Sequence, residues 1–184
     1  MTREAEMMQR VVSICGPLFD AVAGSTHPAT SIPKSFVMAL TANETGEWII
    51  DNPQVPSRFE LRVFRRLLDL QAGRGYHIGG ITREEVRLFS AESLRDYATS
   101  WSLTQIMGYN VLIWPGWDLS EIQDPTRHYR ATLKLLAGFC EEYGLDPTKD
   151  FVDLFTCWNA GSPHGRTFDS AYAMNGIDRM QLCG

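Results

Sequence analysis

Apolar positions recur with a helical period along most of this chain. Between Arg3 and Ala23, the residues Val11, Ile14, Cys15, Leu18, Phe19 and Val22 fall on one stripe, with Thr2 placed to cap the helix they predict. A second run, Phe36, Val37, Leu40 and Thr41 with Met38 and Ala39 between, is apolar nearly all round, which predicts a helix inside the core. Ser31 is placed to cap it, Pro33 to sit in its first turn and Gly46 to stop it. Trp48-Ile49-Ile50 then reads as a short strand or an extended turn. Arg58 to Leu70 predicts a helix with Phe59, Val63, Phe64, Leu67 and Leu68 inward and Arg58, Arg62, Arg65 and Arg66 outward. Thr82 and Glu85 have capping-box spacing, and Ser90 can cap a further helix carrying Leu94 and Tyr97. From Pro125 a long helix runs to about Tyr143, with Tyr129, Leu133, Leu136, Cys140 and Tyr143 on one face and Gly144 at its end. Asp150 is placed to cap the next, which carries Phe151, Leu154, Phe155 and Trp158, and a last short helix lies near the C-terminus.

The breaks between these runs are short. Gly24 to Thr30 is a loop with Gly24, Ser25 and Pro28, and Asp51 to Ser57 holds two prolines. Gly73, Gly75, Gly79 and Gly80 mark a segment with room for a hairpin around Tyr76-His77-Ile78. Ile113-Trp114-Pro115-Gly116-Trp117 is an aromatic loop, suited to stacking on sugar rings or to covering the core. No internal repeat or low-complexity tract appears. The pattern predicts one all-α domain over residues 1–184, α+β at most.

Composition narrows the classes. At 184 residues and 44% hydrophobic, the chain is an ordinary globular one that buries about 70% of its unfolded surface without staples. A net charge of -5 argues against a broad nucleic-acid footprint, which needs a basic excess, but leaves room for an anionic polymer in a locally basic groove. Cys15, Cys140, Cys157 and Cys183 match no zinc spacing, and Cys15 and Cys140 read as small core residues. His27, His77, His128 and His164 are scattered, so no metal is expected. Gly73 to Gly80 lacks the Lys-Ser/Thr ending of a phosphate loop, and no cofactor is expected. No apolar run is long enough to span a membrane. The N-terminus, with Arg3, Glu4 and Glu6, lacks the apolar centre of a signal peptide. The expectation is a cytosolic chain, one exported by another route, or one already trimmed.

The candidate chemistry begins at Glu44. A carboxylic acid at the end of a core helix is disfavoured in its charged form, so its pKa rises and it can protonate a leaving group. An exposed helix-end Glu would have no such role.

Four segments stand in a suggestive order. They are Asn43-Glu44-Thr45-Gly46, then Ser100-Trp101-Ser102-Leu103-Thr104-Gln105-Ile106-Met107, then Ile122-Gln123-Asp124-Pro125, then Phe155-Thr156-Cys157-Trp158-Asn159-Ala160-Gly161-Ser162-Pro163 with Tyr172 after it. This series resembles the soluble lytic transglycosylases and goose-type lysozymes over roughly Ile32 to Tyr172. Three residues depart from the family pattern. Ser102 stands for the usual Gly, Thr104 for Met and Trp158 for Tyr. Phe59-Glu60, with Ser100-Trp101 and Gln105 to Asn110, is also similar to the phage-type N-acetylmuramidases.

The resemblance implies a lysozyme-like helical fold, with at most a small hairpin beside the groove. It implies cleavage of peptidoglycan glycan strands between N-acetylmuramic acid and N-acetylglucosamine, with Glu44 as acid and then base. In the transglycosylases the sugar's own C6 hydroxyl closes on C1 to leave a 1,6-anhydro end. Ser100 would orient Glu44 or an N-acetyl group, or else cap a helix. Gln105 would bind a sugar or stay solvated. Asn159 would meet an acetamido group or fix a loop. Tyr172 would hydrogen-bond Glu44 or the sugar, or pack as a core tyrosine. Glu60 and Asp51 are candidates for a second carboxylate, which would allow hydrolysis, and Glu60 is alternatively an ion-pair partner of Arg62 or a neighbour. The partners implied are glycan strands, with delivery by a phage or a secretion system and a monomeric state. A relative that kept the fold and lost turnover is the rival reading.

Overall fold

The computed structural model describes residues 1–23, 31–51, 56–75, 77–114 and 116–183, without the side chains of Ile50 and Asp51. Among these residues the chain forms ten helices and one small sheet. The long first helix, α1 (Arg3–Ala23), buries Met7, Met8, Val11, Cys15, Phe19 and Val22 and is capped by Thr2, whose hydroxyl accepts the Ala5 N–H at 3.2 Å. It packs along α2 (Lys34–Asp51), whose Phe36 to Leu40 are all buried.

Helix α2 differs from the expectation at both ends. Ser31 lies outside it, and the Pro33 carbonyl accepts the first N–H groups, from Phe36 and Val37. Gly46 does not stop it, and Trp48-Ile49-Ile50 is helical rather than extended. A mid-helix glycine costs about 1 kcal/mol, whereas burying Ile49 returns about 1.5–3 kcal/mol, so continuation wins. Gly46 serves close packing instead: a Cβ there would lie 2.6 Å from Met7 Sδ.

The second correction concerns the expected helix from Arg58. Ser57–Phe59 is strand β1, and the helix is α3 (Leu61–Gln71). β1 pairs antiparallel with β2 (Thr99–Trp101), which pairs with β3 (Ile106–Met107), in the order β1-β2-β3. The small antiparallel element is this sheet. At the glycine-rich segment there is an isolated bridge between Ile78 and Ile81; the hairpin centre Tyr76 lies outside the described residues, as do the Gly24–Thr30 loop, most of the Asp51–Ser57 loop and Pro115.

The connecting helices are α4 (Arg83–Val86) with its Thr82–Glu85 capping box, α5 (Ala91–Tyr97) capped by Ser90, α6 (Asn110–Ile113) and α7 (Leu119–Gln123). Helix α8 (Pro125–Tyr143) starts under an Asp124 cap and ends at Gly144, which takes the left-handed conformation at φ 65°. Helix α9 (Phe151–Ala160) begins after Asp150. The Asp150 carboxylate accepts the Asp146 N–H at 2.8 Å rather than capping the helix, another departure from expectation. Helix α10 (Tyr172–Gln181) lies against α2 and α9.

The largest apolar cluster joins α1, α2, α8, α9 and α10 around Phe36, Met38, Leu40, Tyr129 and Phe155. A second, around Leu67, Leu70, Val86 and Leu94, lies under the arginine-bearing face of α3. A third, around Ile106, Ile122 and Leu135, is flanked by Trp101, Trp114, Trp117 and Trp158. Trp158 touches the first and third clusters, and Tyr97 the second and third. The chain is therefore mostly helical with one small antiparallel sheet.

Candidate active site

The turn between β2 and β3 is fastened from four separate parts of the chain. Ser102 N–H donates to the Pro56 carbonyl at 2.7 Å, and Thr45 Oγ1 donates to the Leu103 carbonyl at 2.8 Å. Trp158 Nε1 donates to the Thr104 carbonyl at 3.1 Å, and Thr104 N–H donates to His128 Nε2 at 3.0 Å. Because that ring nitrogen accepts a backbone N–H, the proton of the imidazole sits on Nδ1, which donates to the Ile122 carbonyl at 2.8 Å. His128 is fully buried, and burial lowers its pKa from 6.5 to about 4. It is a neutral fastener of the turn.

Fastening has a local cost. Ser102 at φ 61° and Gln105 at φ 56° both occupy the left-handed region. Ser102 is also fully buried, and its hydroxyl has no hydrogen-bond partner among the described residues.

Thr45 carries the turn's restraint into α2, one residue from Glu44. Glu44 is half-buried, and Tyr172 at the start of α10 donates its phenolic O–H to Glu44 Oε1. Burial raises the Glu44 pKa, while the Tyr172 hydrogen bond and the charge of Arg58 lower it; burial prevails and the net shift is upward. Tyr172 remains a phenol, since burial and the adjacent carboxylate push its own pKa well up.

The other expected site residues are distributed as follows. Ser100 is a buried β2 residue rather than a helix cap; its hydroxyl donates to Gln105 Oε1 at 2.7 Å and lies 3.2 Å from the Arg58 carbonyl. Gln105 donates from Nε2 to the Ser102 carbonyl at 2.8 Å, so both ends of its amide are used within the turn. Asn159 is exposed near the end of α9, and its Oδ1 accepts the Phe168 N–H at 3.3 Å, which holds the loop leading to Tyr172. Glu60 accepts from Arg58 Nε at 2.6 Å. The Asp51 side chain lies outside the described residues.

Two hollows flank these groups. A groove of about 430 Å³ is lined by Gln105, Met107, Tyr109, Phe139, Trp158 and Asn159, among others. Glu44 lines a second hollow, of about 360 Å³, with Glu4, Met7, Asn43, Trp48 and Arg179. Gln105 and Asn159 thus share one groove, while Glu44 is joined to its neighbourhood through Thr45 and the Asn159–Phe168–Tyr172 loop. No family model, curated protein or solved structure matches the chain.

Among the described residues, no group of three His, Cys, Asp or Glu side chains comes together as a metal site. The four cysteines form no disulfide. No described helix is long and apolar enough to cross a membrane. Sequence reasoning missed three contributors. Arg58 adds its charge to Glu44, and His128 and Thr45 fasten the turn. The only sequence signal for His128 was an imidazole at an inward position of an amphipathic helix.

Proposed function

We propose that this chain cleaves the β-1,4 bond between N-acetylmuramic acid and N-acetylglucosamine in peptidoglycan, with Glu44 as the acid and then the base. The observation that carries the reading is the half-buried Glu44 carboxyl, held by the Tyr172 hydroxyl and shifted toward its protonated form. Such a group keeps its proton closer to neutral pH than a solvated Glu does, which is what a leaving sugar oxygen requires. Glu44 gives its proton to the bridging oxygen as the bond from C1 breaks. The glycan's own N-acetyl oxygen shields the cationic C1. The Glu44 carboxylate then takes the proton of the C6 hydroxyl, whose oxygen bonds to C1 and leaves a 1,6-anhydro end. The pairing of Glu60 with Arg58 supports this single-carboxylate route over one with a second carboxylate activating water. The exposed arginines of α3, Arg62, Arg65 and Arg66, suit the anionic stem peptides of the strand.

The test is digestion of purified sacculi, with mass spectrometry of the released muropeptides. Anhydro ends are expected, and Glu44→Gln abolishes them. Reducing ends would mean hydrolysis instead. Undiminished lysis by the Glu44→Gln protein would end the assignment.

One observation favours a second reading. The groove that holds Gln105 and Asn159 is lined without Glu44, and Gln105 is already satisfied internally. A glycan-binding protein without turnover would bind sacculi and release no muropeptide from them.

A further inference from the structure

Helix α10 meets α2 through Tyr172 and Arg179, which recur on one side of it at i and i+7. Gly176, between them, lets α10 close up on α9, since a Cβ there would lie 2.5 Å from Phe155 Cζ. At one end of the face Tyr172 reaches Glu44. At the other, Arg179 donates from Nη1 to Asn43 Oδ1 at 2.6 Å and from Nε to Glu4 Oε1 at 2.5 Å. The side chain of Arg179 is only 18% exposed. Asn43 completes the circuit, because its Nδ2 donates to the backbone carbonyl of Tyr172 at 2.9 Å. Asn43 is the residue before Glu44 on α2. The two residues that form the acid pair are therefore tied to each other a second time, through one amide held by one guanidinium.

We propose that Arg179 is a positioning residue for the Glu44–Tyr172 pair and acts through Asn43. The guanidinium fixes the orientation of the Asn43 amide by occupying its oxygen, which leaves the amide N–H₂ pointed at Tyr172. That bond holds the first turn of α10 at the register that brings the phenol to the carboxylate. Glu4 on α1 neutralises Arg179 and fixes its fork. Arg179 reaches neither the proton in transit nor the sugar. The groups whose charge or hydrogen bonding acts on Glu44 directly are Tyr172 and Arg58, while Asn43 and the charge of Arg179 pull the Tyr172 pKa down against the larger upward push of burial and of Glu44.

This inference rests on Glu44 being the acid, and its test includes a readout that needs no turnover. Protein labelled with ¹³C-carboxyl glutamate is titrated by NMR, with the Glu44 signal identified by its loss in Glu44→Gln. Cleavage of solubilised glycan strands gives kcat and KM in parallel. Loss of the Tyr172 hydrogen bond removes an influence that lowers the Glu44 pKa, so Arg179→Met is expected to move the Glu44 titration upward, as Tyr172→Phe does. It is also expected to lower kcat by on the order of tenfold, with KM within about twofold, the pattern of a misplaced catalytic group. The double variant is expected to be little worse than Tyr172→Phe alone, because both act through one contact. Arg179→Lys reaches Glu4 or Asn43 but not both, and is expected to fall between. Should Arg179→Met fail to fold, the same readouts on Arg179→Lys decide. A Glu44 titration and kcat unchanged in the folded variant, or losses that add in full to those of Tyr172→Phe, would overturn the proposal. If the unmutated protein cleaves nothing yet the titration still moves, the cleavage reading fails and the positioning role stands.

Discussion

Ser102→Gly is expected to stabilise the protein. Ser102 sits at φ 61° with its side chain fully buried and its hydroxyl unpartnered, so it combines two unfavourable features in one residue. An L-residue in the left-handed region costs about 1–2 kcal/mol. A buried hydroxyl without a partner costs a further 1–3 kcal/mol or so, roughly the desolvation of the group. Glycine removes both and gives back about 0.5–1 kcal/mol in unfolded-state entropy. The net gain is about 2 kcal/mol. For a chain of 184 residues that corresponds to a rise in Tm of about 4–8 °C. Ser102→Ala separates the two causes, since it removes the hydroxyl and keeps the strained φ; it is expected to gain about half as much. Differential scanning calorimetry with urea titration at constant pH measures both. A Ser102→Gly protein with an unchanged or lower Tm and an unchanged m-value would refute the reasoning, because it would mean the turn stores no strain at this residue.

Three further outcomes are expected. His128 binds a proton at about pH 4 folded and near 6.5 unfolded, so between those values the unfolded state holds more protons. Its contribution is complete above pH 6.5 and lost as pH falls through 4, a change of about 3 kcal/mol at about 1.4 kcal/mol per unit; urea unfolding from pH 7 to 4 should show that slope, and His128→Gln should flatten it. Glu44 works in the opposite direction, since its raised pKa makes ionisation unfavourable to the fold as pH rises. In Tyr172→Phe the limb of the pH–activity profile where Glu44 loses its proton should move to higher pH and kcat should fall, as read from muropeptide release across pH; an unmoved limb would separate Tyr172 from the acid. Gly108→Ala would place a Cβ 2.3 Å from the Asp96 carbonyl oxygen and 2.9 Å from Tyr97 Cα, both backbone atoms. A loss of about 3 kcal/mol or failure to fold is expected, and a wild-type Tm would contradict it.

The elements legible in the sequence are those whose controlling interactions are local. Helix α8 begins and ends as its Asp124-Pro125 start and Gly144 stop indicate, and α1 occupies Arg3–Ala23. The Thr82–Glu85 box and the Ser90 cap are formed. In each case a side chain or a glycine's backbone acts on a backbone group within four residues, so the local pattern suffices. Elsewhere a distant partner outweighs the local preference. Gly46 reads as a stop, yet Met7 packs against it and Ile49 is buried beyond it. Arg58 and Phe59 read as helical, yet β2 offers them a strand partner forty residues away.

For the site, the helix around Glu44 leaves an exposed, roleless Glu open, and it is the order of the motifs that points to Glu44 as the acid and to Tyr172 beside it. What the sequence by itself determined is most of the amphipathic helices, several of their caps and the place of Glu44 on a core helix. The tertiary structure decided the rest. It turned Ser100 and Gln105 toward each other, gave Glu60 to Arg58, and drew Asn43, Arg179 and Glu4 into one circuit behind the acid. Each of these side chains can bond several partners within a few ångströms. Only the long-range packing of α1 and α10 against α2 and the pairing of the sheet select among them.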